Sequence, residues 1–138
     1  MVSIDQVKCS GSATRAAMRA RKLMCKDISR HLVLKDLARR AGTNECTLKR
    51  EFKYLFNTSV YQYLLLERMK RARRLLLNSE LSVQCIAFSC GFESLAGFIN
   101  TFRRLYNISP GAFRKQERKA GIPKPNYTRM IESALFRL

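Results

Sequence analysis

The chain has 138 residues, with 27 Lys and Arg against 10 Asp and Glu, a formal charge of +17 and 46% apolar residues. That length suits one compact domain, or two very small ones sharing a core, and leaves little room for a separate catalytic domain of usual size. The apolar content excludes a disordered basic tail, and a charge that repels itself in the compact state calls for a polyanionic partner: nucleic acid first, an anionic membrane surface second.

Residues 1–14 are polar and small and read as a loose N-terminus. Over 15–30 the pattern turns helical, with Ala17, Ala20, Met24 and Ile28 recurring at three and four residues among Arg19, Arg21, Lys22 and Lys26. Residues 31–58 read as two short helices. The first runs from Leu34 and is stopped by Gly42, which lacks a Cβ and permits a left-handed turn. Asn44 is placed to cap the second, whose buried row is Leu48, Phe52 and Phe56 and whose last residue is followed by Asn57, a common left-handed substitute for Gly.

Residues 59–78 are predicted to be a linker segment whose helix runs from Val60 to about Leu77, about 27 Å long at ~1.5 Å per residue. It carries Tyr63, Leu64, Met69, Ala72, Leu75 and Leu76 inward, and the basic run Arg68, Lys70, Arg71, Arg73 and Arg74 mostly outward. Within 79–118, Ser82 caps a short helix that halts at Gly91, a longer helix spans 94–106 with Phe98 and Phe102 inward, and Ser109-Pro110 opens a last one. Residues 119–138 form a tail with a short amphipathic segment bearing Met130, Ile131, Ala134, Leu135 and Leu138. With almost no β-branched alternation, the fold class is all-α.

The chemistry available is narrow. A single histidine, His31, leaves no metal cluster or catalytic pair, and no Gly-rich phosphate loop or carboxylate pair is present, so no cofactor and no enzymatic activity are expected. Five cysteines without a Cys-x-x-Cys argue against a disulfide framework or zinc ribbon and read as small buried hydrophobes in a reducing compartment. No apolar run reaches the ~18 residues of a membrane span and the N-terminus lacks an apolar signal core, so a soluble, cytoplasmic protein without a membrane partner is expected.

The two halves repeat. An offset of 49 maps Leu37, Ala38 and Gly42 onto Ile86, Ala87 and Gly91, and an offset of 50 maps Phe52, Lys53, Phe56, Asn57 and Ser59 onto Phe102, Arg103, Tyr106, Asn107 and Ser109. The slip of one falls in the turn, where an insertion is cheapest. The chain therefore reads as one helix–turn–helix unit written twice and joined by a stiff helix. Such a unit lays its second helix in the major groove, and adjacent major grooves recur every ~34 Å along B-form DNA.

The stretches LARRAGTNECTLKREFKYLFNTSVYQYL, RMKRARRLLLNSELSVQCIAFSCGFESLAGF and FRRLYNISPGAFRK resemble the DNA-binding domain of AraC/XylS-type bacterial transcription regulators over about Leu32 to Arg118. LARRAGTNECTLKREFK is also similar to a branch containing siderophore-linked regulators. The resemblance implies two helix–turn–helix subdomains on a linker helix, and a sequence-specific, cytoplasmic regulator, usually an activator. Its partners would be double-stranded promoter DNA and often RNA polymerase. Members commonly join this domain to a ligand-binding or dimerising one. None fits this length, and no small-molecule site is visible, so the chain is either a stand-alone regulator or the end piece of a longer one.

Carried over by position, the resemblance puts Glu45, Cys46, Thr47, Lys49 and Arg50 at or near the major groove. Arg50 is the candidate for direct readout, since a guanidinium holds guanine O6 and N7 together. Lys49 reaches a base or a phosphate; Thr47 reaches a thymine methyl or a phosphate. Cys46 either touches an apolar base edge or is passive. In the second unit the corresponding positions are Leu95, Ala96, Gly97, Ile99, Asn100 and Thr101, with Asn100 where a long basic side chain is usual and Gly97 where an aromatic is usual. That helix is expected to read little sequence beyond an adenine at Asn100. Lys35, Lys53, Arg71, Arg73, Arg103 and Arg104 are candidates for phosphates, with backbone N–H groups near Val60 and Pro110. Competing readings are a non-specific RNA- or ribosome-associated helical protein, an enzyme using Cys46, and a membrane-surface protein.

Overall fold

The computed structural model describes residues 11–120, and among these every regular element is a helix. They run α1 (Gly11–Lys26), α2 (Leu34–Ala41), α3 (Glu45–Phe56), α4 (Val60–Asn78), α5 (Val83–Ser89), α6 (Leu95–Tyr106) and α7 (Pro110–Ala120). Residues 1–10 of the expected loose N-terminus, Cys9 among them, and the amphipathic segment from Met130 to Leu138 lie outside the described residues.

Helix α1 starts four residues before Arg15. Its first turn is built from small residues whose weak intrinsic preference is overridden by the packing of Ala16, Ala17 and Ala20, all at or below 2% exposure. Gly42, at φ 86°, closes α2 by donating its N–H to Arg39 at 3.1 Å, while Thr43 N–H reaches Ala38 at 2.9 Å. Asn44 then opens α3, its Oδ1 accepting from Thr47 N–H at 2.8 Å.

The second unit repeats each of these bonds. Gly91, at φ 91°, donates to Phe88 at 3.0 Å, and Phe92 donates to Ala87 at 3.0 Å. Ser94 Oγ accepts from Gly97 N–H at 3.0 Å, the place that Asn44 holds in the first unit. Asn57 and Asn107 end α3 and α6 in left-handed geometry, and Ser59 and Ser109 accept from Gln62 and Ala112, both at 3.2 Å. These two Ser bonds occupy one N–H at each of the helix starts expected to be open for phosphate.

The chain divides into two units at Leu64/Leu65, each with its own core. In the first, α1 supplies Ala17, Ala20 and Met24, followed by Ile28, and these pack with Leu37, Ala38, Leu48, Phe52, Val60 and Leu64. In the second, the later part of α4 supplies Leu66, Met69, Ala72 and Leu76 against Ile86, Ala87, Phe98, Phe102 and Phe113. The same aromatic triad recurs. Phe52 meets Phe56 at 4.6 Å and Tyr63 at 5.4 Å; Phe102 meets Tyr106 at 4.4 Å and Phe113 at 5.4 Å. The repeat is thus a whole three-helix unit, and the opening of α4 is to the first copy what α7 is to the second.

Two expectations need correction. Of the described cysteines only Cys90 is buried; Cys25, Cys46 and Cys85 are exposed. They sit on outer helical rows, Cys25 between Lys22 and Lys26 and Cys46 one turn before Arg50, where local spacing outweighs the general tendency of cysteine to hide. The basic run of α4 is also less free than expected. Arg68, Lys70, Arg71 and Arg73 are half-buried, and of the five only Arg74 is exposed. Five cations within seven positions cover every face of a helix, so some must flank the buried row of Met69 and Ala72.

Candidate nucleic-acid interface

The exposed face of α3 is cationic because its apolar positions are spent inward on Leu48 and Phe52. Cys46, Lys49, Arg50 and Lys53 are exposed, whereas Glu45 and Thr47 are half-buried. Glu45, Cys46, Lys49, Arg50, Lys53 and Tyr54 line one open groove along this helix. Thr47 is not among them. Tyr54, half exposed at 52%, was not anticipated; its signal was its place one turn beyond Arg50 and two beyond Cys46.

A second groove, shared at Glu45 and Cys46, runs to Lys35, Arg39 and Asn44. Across the two, Lys35, Arg39, Lys49, Arg50 and Lys53 face only Asp36 and Glu45. Both carboxylates are engaged within their own helices, Asp36 with Arg39 and Glu45 with Lys49 Nζ at 3.3 Å. Such exposed pairs are worth little and exchange readily for an external anion. Arg50 lies 3.9 Å from Glu51 Oε1 and is 69% exposed on its side chain, so its guanidinium remains available.

The second unit presents a poorer face. Ala96, Asn100, Arg103 and Arg104 are exposed on α6. Leu95 and Ile99, expected toward the groove, pack instead against the core, and Thr101 Oγ1 donates to Gly97 O at 2.8 Å. A Cβ on Gly97 would stand 3.0 Å from Ser94 Oγ, the oxygen that caps the helix, so the absent side chain keeps that cap uncrowded.

Arg71 and Arg73 are set deeper than the other phosphate candidates, Lys35, Lys53, Arg103 and Arg104. Both are half-buried, and the Arg73 guanidinium lies 5.9 Å from the centroid of the Phe113 ring. Nearby, burial pushes the Cys90 thiol up, with Arg71 the largest opposing influence, and burial lowers the Arg68 guanidinium. Among the described residues no group of three His, Cys, Asp or Glu could hold a metal, and no helix is long and apolar enough to cross a membrane.

Two capped helix–turn–helix units sharing one continuous linker helix define a class, and comparison with known proteins agrees. A helix-turn-helix domain family model matches residues 37–116. A transcriptional regulator structure from Chromobacterium violaceum, described as AraC-type, is 34% identical at TM-score 0.70, covering 77% of this chain and 95% of that one. The DNA-binding domain of AdpA, solved in complex with a target DNA, is 29% identical at TM-score 0.73, covering 77% and 96%. The Msm operon regulatory protein of Streptococcus mutans is 32% identical over 114 residues, which are 82% of this chain and 41% of that protein. The chain belongs to the AraC-type helix-turn-helix family. It spans less than half the length of the first curated relatives it matches.

Proposed function

We propose that this chain is a sequence-specific, double-stranded DNA-binding transcription regulator that inserts α3 and α6 into adjacent major grooves. The observation that carries this reading is the exposed cationic face of α3, with Arg50 and Lys49 on a helix fixed at its start by Asn44 and at its end by Asn57. Arg50 reads guanine, Lys49 a base or a phosphate beside it, and Glu45, Cys46 and Thr47 lie at the margin of the contact. Asn100 is the base-reading residue of α6. Lys35, Lys53, Arg103 and Arg104 hold phosphates, with Arg71 and Arg73 contributing from the half-buried flank of α4. Activation through RNA polymerase, a cytoplasmic location and the absence of enzymatic activity belong to the same proposal.

Competition decides it. A promoter fragment carrying the motif recovered by binding-site selection should resist displacement by random duplex or tRNA. Equal displacement would favour a non-specific nucleic-acid binder. If six phosphates are neutralised, log affinity should fall with log salt at a slope of about −5.

A further inference from the structure

We infer that the outer face of α1 is a second DNA-backbone surface, which lengthens the contact beyond the two recognition helices; this rests on the DNA-binding reading above. Arg15, Arg19, Lys22 and Lys26 follow one another at intervals of four, three and four residues, so they form one row along the helix. The opposite row, Ala17, Ala20 and Met24, is buried in the core of the first unit. All four cations are exposed, and none has a hydrogen bond or ion pair among the described residues. Helix α1 contains no acidic residue at all.

Some other cations of the first unit are already engaged. Arg39 and Lys49 each have a carboxylate one turn away, and Arg21 on α1 itself is used over the Phe56 ring at 5.2 Å. A row of four like charges at helical spacing works against its own helix, because like pairs at i,i+4 destabilise it. An external polyanion relieves that repulsion. Arg15 to Lys26 spans about 16 Å at ~1.5 Å per residue, enough for several successive phosphates at ~3.4 Å of duplex axis each.

The row also leads toward the reading helix. Arg19 Nη1 stands 3.8 Å from where a Cβ would sit on Gly42, the residue that turns the chain from α2 toward Asn44 and α3. A recognition helix contacts bases from its N-terminal part, so a cation at the preceding turn is near the phosphates that flank the half-site. The row lies outside residues 37–116, the segment shared with the family model.

The test compares the salt dependence of binding by the full chain to two duplexes: the selected motif alone, and the same motif lengthened by about one helical turn (~10.5 base pairs) beyond the half-site read by α3. For the unaltered chain the longer duplex should give a steeper slope, by about 2 to 3 if three cations engage. In a chain carrying Arg15→Gln, Arg19→Gln, Lys22→Gln and Lys26→Gln together, the two slopes should coincide while the selected motif stays unchanged. Lys22→Glu alone should weaken the longer duplex several-fold and leave the shorter one unaffected, which covers the case of a poorly folding quadruple variant. Equal slopes for the unaltered chain on both duplexes would overturn the inference. So would variants that behave as the parent, or binding to phosphatidylglycerol vesicles that depends on the row while duplex length has no effect. Failure to bind any duplex selectively would remove the DNA-binding reading itself, and this inference with it.

Discussion

Arg114 reaches back 33 positions to Leu81, its Nη2 donating to the Leu81 carbonyl at 2.6 Å. The same guanidinium donates from Nε to Leu76 O at 3.0 Å and from Nη2 to Ser79 O at 3.4 Å. One side chain of α7 thereby satisfies a carbonyl in the last turn of α4, which has no basic residue of its own there, and holds the segment that leads to the Ser82 cap.

Arg114→Ala should lower stability by about 2 kcal/mol, since its charge-assisted bonds to the Leu76, Ser79 and Leu81 carbonyls are lost. Arg114→Lys should recover only part of it, because an ammonium cannot reproduce the two-pronged fork. Thermal unfolding followed by circular dichroism checks both variants.

Glu51 offers the opposite case. It is 7% exposed, and its Oε2 is buried without a partner. Replacing it with Met, which fills the site without a polar atom, should raise stability by about 1 to 2 kcal/mol. Glu51→Met should therefore unfold at higher temperature than the parent; an unchanged or lower midpoint would show that the Oε1 contact with Arg50 at 3.9 Å outweighs the burial of Oε2.

Asn57 and Asn107 share left-handed geometry at φ 54° and 59°. Glycine carries no Cβ penalty there, so Asn57→Gly should be neutral or mildly stabilising, whereas Asn57→Ala should cost about 1 kcal/mol. The same pair of substitutions at position 107 should rank alike, because both ends donate their N–H to the residue four back.

These two asparagines were legible before any coordinates, as were Gly42, Gly91, Asn44 and Ser82, because caps and left-handed turns depend on single residue types in a local frame. Phe52 and Phe102 were legible for a related reason: apolar rows at helical spacing leave few alternatives. Arg114 was not, since its partners lie 33 to 38 residues away and no local pattern announces them. Leu95 and Ile99 were misread because they sit beside the buried row of Phe98 and Phe102, where a small rotation of the helix decides between core and groove. The candidate interface was legible through α3, whose cations follow directly from the inward positions of Leu48 and Phe52.

The cysteines provide an independent probe of that interface. Cys46 is exposed on α3, whereas Cys90 is fully buried with its thiol pushed up. A maleimide reagent should label Cys25, Cys46 and Cys85 quickly and Cys90 only on unfolding. Adding the selected duplex should protect Cys46 and leave Cys85 labelled; equal labelling of Cys46 with and without duplex would place DNA elsewhere.

Parallel binding-site selections with the parent, Arg50→Ala and Asn100→Ala bear most directly on tandem reading by α3 and α6. The parent should return one sharply defined half-site with a degenerate one about a helical turn (~10.5 base pairs) away. Arg50→Ala should erase a guanine preference in the sharp half-site, at about 1 to 3 kcal/mol of lost discrimination, and Asn100→Ala should affect only the degenerate half. Two equally sharp half-sites, or a motif unchanged by Arg50→Ala, would contradict the account.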